Sequence, residues 1–364
     1  MKREDSKAAL ILKELSENIR QGRYTAKNKF PSEIALSRRF SVSRSLIASV
    51  LNELEHQGLV ARKQGKGTFV RAENMRRHTI GLIIPGVAVS DFFKPILCEI
   101  NRKARCLGYD LIFGEVYSSE HDERIHEVRE LTAELIKRRV AGVIYEPLVG
   151  EDAQEINEHI LGIFKRKKIP VVLIDSDIYP FPRRSAFDVV GTDDLKAGAE
   201  IAAHLSALSV GKVAFHLPPN GPITYDNRIF GAKAYFREHK PKTAISVLSC
   251  AAEDLNALKR HVKRFGRPDA FICMNDAVAA TFGQTLVQAG FQVPRDVLLT
   301  GFADLPVSLL MMPRLTTVSQ NREAIGECAL NRLLTRIAEP WLSPCNITLP
   351  AKLIVRDSTG KKRK

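Results

Sequence analysis

No Cys-x-x-Cys pair occurs among the six cysteines, which fall at positions 98, 106, 250, 273, 328 and 345. Scattered thiols of that kind argue against a disulfide framework or a zinc cluster. They suit small apolar core residues in a reducing compartment. The nine histidines lack metal-ligand spacing as well, and His121 and His126 lie in a charged, helical-looking segment where solvent is the expected neighbour. Long apolar runs are also missing. The longest uncharged stretch near the front, Thr79 to Ser90, is too short to cross a bilayer and contains Pro85, so no membrane partner is expected. The opening Met-Lys-Arg-Glu-Asp-Ser-Lys is too charged for a secretory signal, and the expected location is cytoplasmic. No Gly-x-Gly-x-x-Gly follows the first strand-like run of the larger part of the chain, which argues against a dinucleotide cofactor. Asp175 and the pair Asp193-Asp194 could be pictured as acid and base, but no partner constellation or nucleophile elbow accompanies them. Neither a cofactor, nor a metal, nor an enzymatic activity is expected.

Acidic residues are thin in one region above all. Met1 to His78 carries 17 Lys and Arg against 8 Asp and Glu, a net +9, and the tail Lys361, Lys362, Arg363 and Lys364 adds +4. The chain as a whole is +14, so residues 79–360 hold only +1. A surface kept basic for solubility would spread its charge; this asymmetry implies a polyanion-binding head on a nearly neutral body. At 364 residues, 45% hydrophobic and 26% charged, the chain has ample material for two or three globular domains.

The head reads as three helices and a hairpin. Ala8, Leu12, Leu15 and Ile19 recur at helical spacing up to Gly22. Pro31 and Ser32 open a second helix through "EIALSRRF". Leu46, Ile47, Val50, Leu51 and Leu54 make the apolar stripe of a third, with Gly58 suited to its C-terminal cap. "LVARK" and "TFVRA" then flank a Gln-Gly-Lys-Gly turn whose glycines permit positive φ. That is a winged helix-turn-helix. Ser43, Arg44 and Ser45 sit at the start of the third helix, the end that enters the major groove in this motif. There the arginine fork can grip guanine, while serine hydroxyls and helix-start N–H groups take phosphates. In the wing, Gln64, Gly65, Lys66 and Gly67 can approach the DNA backbone or minor groove because nothing bulky surrounds the lysine. As a phosphate loop the same "GKGT" is weak, since no helix follows.

Beyond "RAENMRRH" (72–78 as the linker, with the head at 1–71) the pattern changes. Nine strand-like runs, from "TIGLIIPG" to "DVLLTGFA", mostly alternate with helix-length segments. Buried runs separated by crossovers imply a parallel sheet covered by helices. There are too many for one ordinary open sheet, so two doubly wound lobes are expected over 79–360, with an eight-stranded barrel as the competing arrangement. Residues 361–364 form a basic tail.

"FPSEIALSRRFSVSRSLIASVLNELEHQGLVARKQGKGTFV" resembles the GntR-type winged helix of bacterial transcription regulators, over about residues 6–71. Pro31-Ser32-Glu33, Val42-Ser43-Arg44, Leu54 with Gly58-Leu59, and Gly65-x-Gly67-Thr68-Phe69-Val70 fall where that pattern has them. Two positions depart from it: Ile34 and Ala48 replace arginines that commonly contact DNA. From Thr79 to about Thr359, phrases such as "IPVVLIDSD", "YDNRIFGAKAYF" and "DAFICMNDAVAATFGQTLVQAGFQVPRDVLLTGFAD" resemble the ligand-binding body of LacI/GalR repressors, which is of periplasmic-binding-protein type I. A GntR head on such a body is the AraR-like arrangement.

The resemblance implies two lobes joined by three crossovers, a small effector held between them, and a homodimer whose two heads read a pseudo-palindromic double-stranded operator. The implied function is a ligand-responsive repressor of carbohydrate genes; a non-sugar effector or an activator role stays open. Ligands of open α/β sheets sit beyond the carboxyl ends of strands. Asp91, Phe92, Arg228, Asn275 and Asp276 fall there and suit a polyhydroxylated molecule. Helix capping by Asn275-Asp276 and a structural ion pair at Arg228 are the competing readings. Ala303 in "GFAD" stands where the family has an aspartate that accepts from sugar hydroxyls. If the strand continues, Asp304 faces the other way, so the ligand would lack a hydroxyl there or carry a larger or anionic group.

Overall fold

The computed structural model describes residues 7–20, 23–24, 30–63, 67–70, 79–88, 90–114, 116, 118 and 120–360. The wing tip Gln64-Gly65-Lys66, the whole linker 72–78 and the basic tail 361–364 therefore lie outside the described residues.

In the head, α1 (Lys7–Arg20), α2 (Glu33–Phe40) and α3 (Arg44–His56) precede an antiparallel hairpin of β1 (Val60–Lys63) and β2 (Gly67–Val70), in which Lys63 pairs with Gly67. Ile47, Val50, Leu51 and Leu54 of α3 meet Leu15 and Ile19 of α1, Leu36 of α2 and Val60 and Val70 of the hairpin in one core. Ile11, one turn before Leu15, belongs to that core too, so the buried face of α1 is rotated slightly from the sequence reading. Ser32 caps α2 by accepting from the Ala35 N–H, and Ser43 caps α3 by accepting from the Leu46 N–H. After α3, Gly58 takes φ 72°, and the Leu59 N–H returns to the Leu54 carbonyl. The positive φ is why this turn needs glycine.

The body is two open sheets, not a barrel. The first lobe runs β3 (Thr79–Ile83), α4 (Phe93–Cys106), β4 (Asp110–Phe113), α5 (His121–Lys137), β5 (Gly142–Tyr145), α6 (Ala153–Arg166), β6 (Val171–Ile174) and β7 (Asp188–Thr192). The second runs α7 (Asp194–Ala207), β8 (Lys212–Leu217), α8 (Thr224–His239), β9 (Ala244–Ser249), α9 (Leu255–Phe265), β10 (Ala270–Cys273), α10 (Asp276–Gln288), β11 (Leu298–Thr300), α11 (Val307–Leu310) and β12 (Thr317–Gln320). The chain then returns to the first lobe as α12 (Arg322–Ala338) and β13 (Asn346–Leu349), and passes back as β14 (Ala351–Ile354). Sheet order is β13-β7-β6-β5-β3-β4 in the first lobe and β11-β10-β8-β9 in the second, with every pairing parallel. β12 and β14 form a separate antiparallel pair.

Alternation explains how a wholly apolar strand serves two faces. Ile144, Val172 and Val190 pack with Ile96 and Leu330 on one side of the first sheet. Val143, Leu173 and Val189 pack with Leu135 and Phe164 on the other. The second lobe repeats this with Phe215 and Ile272 beneath α7 and α8, and with Phe271 and Leu299 beneath α9 and α10.

Three crossovers link the lobes, at residues 192–194, 320–322 and 349–351. They are bonded to each other. Gln320 donates to the Thr192 hydroxyl at 2.7 Å, and the Asp193 N–H donates to the Leu349 carbonyl at 2.9 Å. All six cysteines are free, yet Cys273 alone is fully buried and Cys98 and Cys106 on α4 are exposed. Cys250 and Cys328 pack partly buried against the cores, so the expectation of small core residues holds for three and fails for the exposed Cys98 and Cys106.

Candidate DNA interface and effector cleft

Both helices of the helix-turn-helix present their N-terminal ends with a serine cap. The two are joined by Ser41-Val42-Ser43, with Ser41 at φ 52°. Ser43, Arg44 and Ser45 are exposed, and the Ser43 and Ser45 hydroxyls lie 3.0 Å apart. The uncommitted N–H groups of the first turn, the hydroxyls and the Arg44 guanidinium thus share one end of α3, as a groove-reading surface requires. Ser32 is likewise exposed at the start of α2, beside the exposed Ile34. A residue that sequence reasoning passed over ties the wing to this surface. Arg62 of β1 pairs with Glu33 of α2 and donates to Asn52 of α3 at 2.5 Å, while its own N–H donates to Glu55 at 2.8 Å. Spacing could not flag it, because its partners are 29, 10 and 7 residues away. Gly67 opens β2; Gln64, Gly65 and Lys66 lie outside the described residues.

Between the lobes lies a cleft of about 920 Å³. Loops after β3, β5, β6, β8, β10 and β11 line it, all beyond the carboxyl ends of parallel strands. Arg228 enters from the second turn of α8, only 6% exposed. Its Nε donates to Asp194 at 2.7 Å, its Nη1 donates to the Met274 carbonyl at 2.6 Å, and its guanidinium lies 3.6 Å from the Phe302 ring centroid. Asn275 caps α10, accepting from the Val278 N–H at 2.8 Å, and its Nδ2 donates to the Tyr225 hydroxyl at 2.8 Å. From the first lobe come Phe92, set edge-on against Phe93, and Asp91, paired with Lys94 at 2.5 Å near the rim.

Two further carboxyls face the same space. Glu146 accepts the Gly86 N–H at 2.7 Å, and burial pushes its acid well above the ordinary carboxylate range, with Asp175 adding to the rise. Burial and then the charge of Asp194 raise Asp175 to about 6, against the pull of Arg228. Thr224, at the start of α8, is 2% exposed, and its hydroxyl finds no hydrogen-bond partner among the described residues.

Residues 7–70 match the family of bacterial regulatory proteins named gntR, and residues 202–359 match the periplasmic binding protein-like domain. The chain joins a gntR-family head to a periplasmic-binding-protein-like body. The regulator is 26% identical over 354 residues to an arabinose metabolism transcriptional repressor of Geobacillus stearothermophilus, covering 94% of each chain. It is 25% identical to the ribose operon repressor of Escherichia coli K12, covering 77% of this chain and 82% of that one. A LacI family transcriptional regulator from Enterococcus faecalis V583, solved with bound ribose, superposes with TM-score 0.62 at 25% identity. That match spans 78% of this chain and all of the other.

Of the five expected effector contacts, Asp91, Phe92, Arg228 and Asn275 line the regulator's cleft. For Arg228 and Asn275 the competing readings hold at the same time: one is ion-paired and the other caps a helix while each borders the cavity. Asp276 does not line it. Its carboxylate is fully buried, accepting from the Leu305 N–H at 2.7 Å and the Thr317 hydroxyl at 2.6 Å, and so it braces the loop after β11 instead.

The strand does not continue through "GFAD" either. β11 ends at Thr300, Ala303 and Asp304 take φ 101° and 52°, and Asp304 pairs with Arg356 at 2.6 Å. Ala303 borders the cleft. His121 also differs from expectation. It borders the cleft, its Nε2 3.0 Å from the Glu151 carbonyl, whereas His126 is exposed. Glu146 and Thr224 were missed because neither belongs to a spaced motif. Their one signal was position just past a strand-like run. Among the described residues no His/Cys/Asp/Glu group could hold a metal, and no helix is long and apolar enough to cross a membrane.

Proposed function

We propose that the regulator is a cytoplasmic repressor of sugar-utilisation genes whose operator affinity changes when its two lobes close on a small hydroxyl-rich effector. The carrying observation is the union, in one chain, of an exposed Ser-Arg-Ser helix start with a two-lobed cleft rich in hydroxyl-binding groups. Arg44 reads a base edge; Ser32, Ser43 and Ser45 and the wing residues Gln64 to Gly67 hold phosphates. Phe92, Arg228 and Asn275 contact the effector, and Asp91 guards the rim. The names of the similar repressors support a pentose-like molecule. A homodimer reading a pseudo-palindrome is supported by apolar residues left exposed among the described residues. On and just after α11, Leu309, Leu310 and Met312 are 55%, 79% and 94% exposed, more than an isolated chain normally leaves bare.

Selection of binding sites from random duplex DNA by the full chain, repeated with L-arabinose or D-ribose present, tests this reading. Enrichment of a two-fold symmetric site whose binding changes with sugar is the expected result. Failure to enrich any sequence, or enrichment indifferent to every sugar, overturns it.

A further inference from the structure

Given that the head reads DNA through α3, its exposed side chains bear on which bases it accepts. Arg44, Ala48 and Asn52 follow one another at four-residue spacing and so share one side of the helix. Arg44 is exposed, and α3 holds no second lysine or arginine, so this helix can grip one guanine in the bidentate way. Asn52 gives its side-chain oxygen to Arg62, which also pairs with Glu33 in the first turn of α2. That bridge lays the start of α2 beside the middle of α3 and pairs off the charge of Glu33. The next residue is Ile34, 43% exposed. Ile34 and the partly exposed Ala48 thus add aliphatic groups to a surface otherwise made of hydroxyls, an amide and one guanidinium. Neither can donate or accept a hydrogen bond. Against guanine, adenine or cytosine each would cover a hydrogen-bonding atom without replacing its water, which is costly. The thymine edge alone offers an apolar partner, its C5 methyl.

We propose that Ile34 and Ala48 read thymine methyl groups, so that the operator half-site sets A·T pairs beside the single guanine held by Arg44. From Arg44 to Ala48 the helix rises about 6 Å, close to two base-pair steps of about 3.4 Å. The thymines are therefore placed within about two base pairs of that guanine. This rests on the operator reading and sharpens it, from a face that binds DNA to one that prefers a base.

Selection from random duplex DNA by the full chain supplies the site. Binding to it is then titrated at one fixed salt concentration, with or without sugar, whichever binds tighter. Each thymine of the half-site is replaced in turn by deoxyuridine, which pairs with adenine but lacks the methyl. At least one thymine within about two base pairs of a guanine is expected to lose about fourfold in affinity, the worth of one buried methyl. In Ile34→Ser and Ala48→Ser, measured separately, that penalty is expected to fall below about twofold in one or both. A half-site with no such thymine, or penalties below twofold at every thymine in the wild type, overturns the methyl reading while leaving the repressor reading intact. Penalties of twofold or more at the same thymines in both variants do the same. Enrichment of no sequence overturns the repressor reading, and the methyl reading with it.

Discussion

Asp276→Asn separates a bracing role from effector contact. The amide keeps one oxygen for the Leu305 N–H, and the Thr317 hydroxyl, now 2.6 Å from a carboxylate oxygen, can turn to accept from the new NH₂. What the variant loses is the proton. Burial raises Asp276 to about 7, with the nearby Asp304 adding to the rise and the bonds from Thr317 and Leu305 opposing it. The unfolded carboxyl titrates near 3.8. Between these values the folded state binds more protons, so stability rises as pH falls from about 8 towards 5. For a single group with these constants the gain is about 2.5 kcal/mol. Of the other neighbours, Asp304 is paired with Arg356, and burial pushes the Cys273 thiol up, so that thiol stays neutral over this range. Urea unfolding of the full chain between pH 5 and 8 should show a slope in wild type that is reduced by about that amount in Asp276→Asn, with effector affinity at pH 8 within about threefold. Parallel pH profiles would refute the burial argument, and a hundredfold loss of effector affinity without a loss of stability would make Asp276 a contact.

Three further outcomes are expected. Because burial and the charge of Asp194 raise Asp175 to about 6, with Arg228 and Glu146 beside it, an effector that donates hydroxyls to it should bind about tenfold more weakly at pH 5 than at pH 7. Calorimetry should find the dependence flattened in Asp175→Asn. Arg228→Ala leaves Asp194 buried and unpaired, and should cost the body about 3–5 kcal/mol in denaturant unfolding; an unchanged midpoint would contradict the ion-pair assignment. Arg62→Ala frees the root of the wing from α2 and α3. It should weaken binding to all DNA sequences by about threefold to tenfold, the range for a half-exposed network of about 1 kcal/mol, with effector affinity unmoved in the same preparation.

Strands that are apolar throughout, such as "GVIY", "VVLI" and "AFIC", announce themselves because both of their faces are covered. β13 and β14 do not, since alternate or neighbouring residues stay partly exposed and the runs are short. The same reasoning separates the site residues. Arg228 and Asn275 stand out by chemistry and by place in the chain. Whether Asp276 turns into the cleft or under the next loop depends on Leu305 and Thr317, 29 and 41 residues away, which no local pattern encodes. Glu146 was hidden differently: its setting depends on Gly86, 60 positions earlier.

The bonds among the crossovers have a mechanical consequence. Three separate strands of chain between two bodies would allow bend, twist and slide, each absorbing part of any signal. Here Thr192 is bonded to Gln320 and Asp193 to Leu349, so the three passages are tied side by side. Bonded in this way, the three passages resist independent displacement by about 1 kcal/mol for each bond. Gln320 belongs both to this bonded joint and to the wall of the cleft, so cleft and crossovers share a residue.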